Sequence, residues 1–86
     1  MPKRFVFFYF VKKNRNEVGL VLPSHVEYWE KAHVNKFIGG LFADGSGGMI
    51  TFEASNREEA DDKIMEDPLI INNLIEIRWV KELIAE

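Results

Sequence analysis

The segment from Phe5 to Val11 reads FVFFYFV, and all seven of its residues are apolar or aromatic. Short runs of aromatic and β-branched residues that are bounded by charged residues are typical of β-strands. Because the side chains of a strand alternate between two faces, this strand must present apolar side chains on both faces of its sheet. Both faces of the sheet therefore have to be shielded from water, and each must pack against a different part of the structure or against a partner.

The chain has 86 residues, which suits a single small domain spanning 1–86. A domain of this size buries only about 60% of its unfolded surface, so its core is marginal. The sequence contains no cysteine, which excludes disulfides and thiol chemistry. Self-association is the other common way for such a small chain to gain buried surface.

Charge and hydropathy exclude two classes of partner. The net charge is −3, and the basic residues form only the weak clusters Lys3–Arg4 and Lys12–Arg15, whereas nucleic-acid binding calls for a basic surface. The apolar run after Lys3–Arg4 lasts seven residues and no small-residue cleavage site follows it, so it predicts neither a signal peptide nor a membrane span. We expect a soluble, cytoplasmic protein.

Periodicity and turn residues predict the order β-α-β-β-α-β. A polar loop, Lys12 to Gly19, separates the first strand from the first helix, and Pro23 is expected in the first turn of that helix. This order is the ferredoxin-like α+β pattern, an antiparallel sheet with both helices on one face. The predicted elements are a strand at Phe5–Val11, a helix at Ser24–Lys36, hairpin strands at Phe37–Ala43 and Gly48–Ala54, a helix from Ser55 to Met65, a helical turn at Leu69–Asn73 and a strand at Leu74–Glu82.

Local patterns predict how the helices are oriented and where one begins. Ser55 followed by Glu58 is a capping box, which predicts that Ser55 caps the second helix. In the first helix His25 is expected to flank the buried stripe, which follows spacings of three and four. The members of that stripe are Leu22, Val26, Trp29, His33 and Phe37.

The helices of such a fold cover one sheet face and leave the other open. Contiguous exposed apolar surface usually marks a partner or a ligand site. A second copy placed face to face would close an α/β barrel around an apolar interior, so the sequence predicts a homodimer. The alternative is a monomer whose open face is poorly covered.

From Ser24 onward the chain resembles the YciI-like (YCII-related) proteins, and the apolar first strand fits them too. The least matched part is the loop from Lys12 to Val21. The resemblance implies a dimeric α/β barrel, in a superfamily that includes muconolactone isomerases, dehalogenating relatives and cofactor-free or heme-dependent monooxygenases. The matching motifs are His25, Gly39–Gly40, Phe42–Ala43–Asp44, Gly47–Gly48, Ser55 with Glu58–Glu59–Ala60, and Asp67–Pro68.

The resemblance also implies that His25 and Asp67 meet in a pocket. A carboxylate beside an imidazole orients the ring and raises its basicity, so the pair could move a proton to or from a carbon next to a carbonyl. The alternative is that His25 caps the helix and that Asp67 before a proline is turn chemistry. The chain departs from the family at Leu22, where many members carry arginine, and at Leu41, where many carry proline.

Four further residues are candidates for ligand binding. Tyr9 brings a hydroxyl to an apolar strand, Gly39 and Gly40 leave room in the barrel, and Asp44 lies at the hairpin turn. No metal-ligand spacing appears, and neither a metal nor an organic cofactor is implied. Two functions stay open: a small-molecule acid–base enzyme for an organic acid, lactone or aromatic substrate, and a non-catalytic ligand-binding or dimerisation module.

Overall fold

The structure is a computed structural model that describes residues 2–13, 16–32 and 37–84. His33, expected on the buried stripe, and the last residues predicted for the first helix lie outside these ranges. No helix of the described residues is long and apolar enough to cross a membrane. The elements are β1 (Lys3–Val11), α1 (Asn16–Lys31), β2 (Ile38–Leu41), β3 (Gly47–Ala54), α2 (Arg57–Met65), α3 (Pro68–Ile71) and β4 (Ile75–Leu83).

The four strands form one antiparallel sheet in the order β2-β3-β1-β4. The apolar strand β1 is central and pairs on one side with β3 and on the other with β4. Its pairing is regular, with Phe7 opposite Ile50 and opposite Val80, until a bulge at Phe10/Val11. The predicted ferredoxin-like βαββαβ fold is confirmed, with the short α3 added after α2.

The core lies between the helices and one face of the sheet. Phe5, Phe7 and Tyr9 of β1 are fully buried there, and the Trp29 ring of α1 packs 6.2 Å from Phe7 and 5.0 Å from Phe52, measured between ring centroids. The helix α2 adds the buried residues Ala60 and Ile64 to the same cluster. This face of the sheet is therefore covered by the chain's own helices.

The other sheet face carries a second aromatic cluster, and no described helix covers it. The Phe8 ring lies 5.3 Å from Phe10, 5.1 Å from Phe42 and 5.6 Å from Trp79. Trp79 is 53% exposed, and exposed apolar side chains surround the cluster. We call this surface the open face; its large apolar members are Val6, Phe8, Phe10, Ile38, Phe42, Met49, Ile77, Trp79 and Leu83.

The first helix differs from the prediction because it begins at Asn16, within the predicted loop, and not at Ser24. Pro23 therefore lies inside α1. The extra turns are stabilised by packing, which outweighs the cost of an interior proline. Half-buried side chains continue the buried face toward the N-terminus, and with the two buried residues they follow helical spacing: Val18, Val21, Leu22, His25 and Trp29.

Leu22 and Trp29 of the predicted stripe pack in the core, as expected, but Val26 was placed on the stripe wrongly. Val26 is 43% exposed, whereas His25, predicted to flank the stripe, is buried. His25 is buried because its ring has polar partners inside the protein. A prediction from hydrophobicity alone therefore placed it wrongly.

The cap of α2 is shifted by one residue: Asn56, not Ser55, accepts the Glu59 N–H, at 2.8 Å. Asparagine is at least as good an N-cap as serine, so the capping box was an ambiguous signal.

Candidate functional site

The site is built around a contact between His25 and Asp67. His25 lies on the inner side of α1, and Asp67 precedes Pro68 at the start of α3. The Nδ1 atom of His25 lies 2.7 Å from Asp67 Oδ2, although the residues are 42 positions apart in the chain. The structure thus brings the two predicted residues into hydrogen-bond contact.

The second ring nitrogen of His25 faces Tyr9. The Tyr9 hydroxyl lies 2.9 Å from His25 Nε2, and the two rings meet edge to face with centroids 5.4 Å apart. Tyr9 was predicted to line a pocket. In the structure it completes a Tyr9–His25–Asp67 chain, which crosses from the strand β1 through α1 to α3.

Two more donors hold the Asp67 carboxylate in place. The indole N–H of Trp29 donates to Oδ2 at 2.8 Å, and the backbone N–H of Leu69 donates to Oδ1 at 2.8 Å. Sequence reasoning missed Trp29 as a site residue and placed it only in the core. Its position four residues after His25 was the available signal, because residues four apart share a helix face and a buried indole N–H needs an acceptor.

Local sequence explains why Asp67 points inward from this position. Asp67 is the N-cap of α3 with an extended backbone (φ −61°, ψ 129°), and Pro68 takes the first helical position, where its missing N–H costs nothing. The cap bond to Leu69 fixes one carboxylate oxygen and leaves the other for Trp29 and His25. The turn role and the contact with His25, which the sequence offered as alternatives, are therefore both present.

The hydrogen-bond pattern assigns the protons. A carboxylate only accepts, so an ionised Asp67 requires a proton on His25 Nδ1. In the neutral ring with this tautomer, Nε2 carries no proton and accepts a hydrogen bond from the Tyr9 hydroxyl; the tautomer is inferred from the partners on both sides. Burial, and after it the negative charge of Asp67, raises the pKa of the Tyr9 hydroxyl above its usual value, so Tyr9 retains its proton.

All three members of the chain are buried. Tyr9 and Asp67 are 0% exposed and His25 is 3% exposed, and no buried side-chain polar atom among the described residues lacks a hydrogen-bond partner. A satisfied polar network in a low-dielectric interior is rigid, and its geometry is well defined. It is also closed to solvent in a single copy of the chain.

None of the other predicted binding residues, Gly39, Gly40 and Asp44, belongs to the Tyr9–His25–Asp67 chain. Gly39 and Gly40 are exposed on the edge strand β2, and Gly40 borders open space on the open face. Asp44 is exposed at the hairpin turn, where its carboxylate accepts the Ser46 N–H at 2.9 Å. Hydrogen bonding to the Ser46 side chain, and after it to the Ser46 backbone, lowers the pKa of the Asp44 carboxyl.

A crevice of about 1010 Å³ opens beside the turn that contains Asp44. It lies between the end of β1, the first turn of α1, the hairpin turn and the start of β4, and Phe10, Val18 and Ile77 are among its apolar lining residues. Tyr9, His25 and Asp67 do not line it, but it borders the same strand and the same helix that carry Tyr9 and His25. Among the residues that the structure describes, no three His, Asp or Glu side chains come together as a metal site would need.

No family model and no curated protein matches the chain. Solved structures do match it. One is the 5-chloro-2-hydroxyhydroquinone dehydrochlorinase TftG of Burkholderia phenoliruptrix AC1100, in complex with 2,5-dihydroxybenzoquinone. The match has 21% identity and a TM-score of 0.79, and it covers 96% of this chain and 95% of the other.

Two further structures share the fold at lower identity. Rv0793 from Mycobacterium tuberculosis has 14% identity and a TM-score of 0.60, over 100% of this chain and 96% of the other. The hypothetical Arabidopsis thaliana protein AT3G17210 has 10% identity and a TM-score of 0.63, over 99% and 88%. The chain therefore has the fold of the dimeric α/β-barrel proteins, and its resemblance to the YciI-like family is confirmed at the level of the fold.

Proposed function

We propose that the protein is a small-molecule enzyme that transfers protons through Tyr9, His25 and Asp67. The observation that carries this proposal is the continuous hydrogen-bonded chain, 2.9 Å from Tyr9 to His25 and 2.7 Å from His25 to Asp67. A hydroxyl, an imidazole and a carboxylate in this order form the arrangement by which a base activates a hydroxyl and a third group orients the base.

In the proposed reaction the Tyr9 hydroxyl is the group that contacts the substrate. As a proton leaves the substrate for the Tyr9 oxygen, the Tyr9 hydroxyl proton passes to His25 Nε2. Asp67 stabilises the imidazolium that forms and holds its Nδ1–H. The raised pKa of Tyr9 supports a coupled transfer of this kind, because a free phenolate would be costly in the buried site.

For substrate class we propose small hydroxylated aromatic or quinoid rings. The motivating observations are the apolar part of the lining of the crevice beside β1, which includes Phe10, Val18 and Ile77, and the ligand of the Burkholderia dehydrochlorinase, which shares the fold. Small organic acids and lactones belong to the same proposal. A substrate reaches the Tyr9 hydroxyl only after apolar side chains move, because Tyr9 is fully buried.

The test is a turnover screen with purified protein and a matched pair of variants on α1. Chlorinated and hydroxylated hydroquinones, benzoquinones and small lactones are followed by ultraviolet absorbance, with chloride release as a second readout. His25→Ala should lower kcat/KM by about 10²–10⁴-fold, the usual contribution of acid–base catalysis. Val26→Ala, on the exposed side of the same turn, should leave turnover unchanged. Full turnover in His25→Ala would refute the proposal.

We also propose that the protein is a homodimer formed through the open face. The support is the aromatic cluster of half-buried Phe8, Phe10 and Phe42 and exposed Trp79, on a chain too small to bury both faces itself. Light scattering at micromolar protein should give twice the 10.0 kDa chain mass. A mass near that of one chain would contradict the dimer.

A second function, a non-catalytic ligand-binding or dimerisation module, is favoured by the burial of the site. Tyr9, His25 and Asp67 are buried, and their buried side-chain polar atoms all have hydrogen-bond partners within the protein. A polar network with a purely structural role would have the same two properties. Under this alternative the screen finds no turnover for any ring or lactone, and His25→Ala changes stability while ligand binding and the dimer persist.

A further inference from the structure

Gly48 occupies a position on β3 where its neighbour on β1 is Tyr9. The two residues are cross-strand partners, and Leu41 of β2 is the partner of Gly48 on its other side. In an ordinary antiparallel pair both residues place a Cβ atom on the same sheet face, about 4.5–5.5 Å apart. Here one of the two Cβ atoms is missing, and the Tyr9 side chain uses the space.

The distances show how closely Tyr9 fills that space. A Cβ atom built at Gly48 would lie 2.6 Å from the Tyr9 hydroxyl oxygen and 3.0 Å from Tyr9 Cζ. The end of the tyrosine ring therefore lies directly over the Gly48 backbone. Any residue other than glycine would push the hydroxyl away by several tenths of an ångström or more, since ordinary contacts are about 3.5–4.0 Å.

The tyrosine ring has little freedom to yield. Its centroid lies 5.1 Å from the Phe7 ring and 5.4 Å from the His25 ring, and the residue is fully buried. A displacement of the hydroxyl must therefore change the 2.9 Å hydrogen bond to His25 Nε2. The effect of Gly48 on the site follows from this geometry.

The neighbouring glycines do not share this relation to Tyr9's hydroxyl. A Cβ at Gly47 would meet backbone, with Tyr9 O at 1.9 Å and Phe10 Cα at 2.8 Å, so Gly47 permits the close approach of β1 and β3. A Cβ at Gly40 would meet nothing within 4 Å. Only at Gly48, among these three, does the missing side chain make room for a hydroxyl.

We infer that Gly48 is a positioning residue: by lacking a side chain, it seats the Tyr9 hydroxyl on His25 Nε2. The geometric part of this inference concerns the folded protein alone. Its consequence for catalysis rests on the proposed function, because Tyr9 is there the group that contacts the substrate.

The primary test is NMR of the hydrogen bond itself in Gly48→Ala. In the unmodified protein the Tyr9 hydroxyl proton should exchange slowly and correlate with a non-protonated His25 Nε2. Gly48→Ala should abolish the slow exchange and shift the Nε2 resonance, whereas Gly40→Ala should preserve both signals. A Gly48→Ala protein that keeps the hydroxyl proton and the Nε2 shift of the unmodified chain would overturn the inference.

A second pair of variants covers the case in which Gly48→Ala does not fold. The Cβ at position 48 would also lie 2.7 Å from the backbone oxygen of Gly40, a second reason for the position to require glycine. Tyr9→Leu removes the ring end from the contact. If contact with Tyr9 is the reason that position 48 requires glycine, Gly48→Ala should destabilise the Tyr9→Leu protein less than it destabilises the unmodified protein. The difference should be about tenfold in the unfolding equilibrium constant, a coupling usual for residues in contact. Equal destabilisation by Gly48→Ala in both backgrounds would show that the Gly40 carbonyl, and not Tyr9, requires glycine at position 48, and would overturn the inference.

Turnover separates this inference from the proposed function. If both hold, Gly48→Ala and Tyr9→Phe lower kcat by similar factors, and the double variant is no slower than either one. If the NMR and unfolding arms succeed while no turnover exists for any variant, the positioning role stands and the enzymatic proposal fails.

Discussion

The two faces of β1 carry similar residues and have different surroundings. On one face Phe5, Phe7 and Tyr9 are buried under the helices; on the other Phe8 and Phe10 belong to a cluster that includes the half-exposed Trp79. Aromatic content is therefore not what distinguishes them. The covered face holds the only polar group of the strand's aromatic run, the Tyr9 hydroxyl, and supplies it with a partner.

The proposed proton transfer and the proposed self-association therefore use opposite faces of the sheet in this small domain. A buried hydroxyl must be hydrogen-bonded, so it lies where α1 can bring an imidazole to it. The phenylalanine rings of the open face need no hydrogen-bond partner. A second copy of the chain can therefore cover them through apolar contact. We therefore expect substitutions on the two faces to fail in different ways.

The largest effect is expected on the covered face. Phe7→Ala removes a fully buried ring that touches Trp29 and Tyr9, and should lower the free energy of unfolding by about 3–5 kcal/mol. Urea unfolding at several protein concentrations measures this. Phe8→Ala, the adjacent residue on the other face, is the matched control and should show a smaller loss that depends on protein concentration. Similar losses, both independent of concentration, would remove the distinction between the faces.

On the open face the expected effect is on assembly. Trp79→Glu places a charge in the centre of the proposed interface, where an unpaired buried charge is strongly unfavourable, and should convert the dimer to folded monomer. Light scattering gives the mass and circular dichroism the fold. Val26→Glu, at an exposed apolar position on α1, is the control and should leave the mass unchanged. A Trp79→Glu protein that stays dimeric would place the interface elsewhere.

A smaller effect is expected within the polar chain. The two carboxylate oxygens of Asp67 now face three donors, from His25, Trp29 and the Leu69 backbone. Asp67→Asn leaves only one of these oxygens, so one donor loses its acceptor and the free energy of unfolding should fall by about 1–3 kcal/mol. Neutral His25 should also lose its preference for the Nδ1–H tautomer, which ¹⁵N-resolved NMR detects. The conservative control Leu69→Ile retains the backbone donor and should keep the tautomer. An unchanged tautomer in Asp67→Asn would show that Asp67 does not set it.

The smallest effect concerns the two tyrosines, which are both on the helix side of the sheet. Burial raises the pKa of Tyr28 to about 12, and it raises the pKa of Tyr9 as well. The unfolded chain releases these protons near pH 10 and the folded chain retains them, so the contribution of the two tyrosines to the free energy of unfolding should be constant below about pH 10 and fall as the pH rises toward 12. Phenolate absorbance at 295 nm should appear together with unfolding. Ionisation of both tyrosines near pH 10 in folded protein would contradict the burial of this side.

Much of the fold could be predicted because it depends on local patterns. The seven-residue run of β1, the hairpin signal between β2 and β3 and the helix break at Pro68 each determine their element without reference to the rest of the chain. The start of α1 could not be predicted in this way. Pro23 is a local signal for a helix start, and the packing of Val18, Val21 and Leu22 against the core outweighs it.

The candidate site was predicted in part, for a related reason. His25 and Asp67 were named from the resemblance, but their contact spans 42 positions and depends on how α1 and α3 meet. Trp29 and Gly48 were missed as site residues because each has a sufficient structural explanation in sequence, Trp29 as a core residue and Gly48 as the first residue of a hairpin strand. Only the coordinates show that the Trp29 indole holds the carboxylate and that the Tyr9 hydroxyl occupies the space above Gly48.

Strand alternation and helical periodicity are properties of neighbouring residues, so they were sufficient to predict a small ferredoxin-like α+β domain with two apolar sheet faces. The tertiary structure alone decided that Tyr9, His25 and Asp67 form one hydrogen-bonded chain. It also decided that His25 points inward while Val26 points outward. The physical reason is that a buried polar side chain is oriented by its partners, and those partners come from distant parts of the chain.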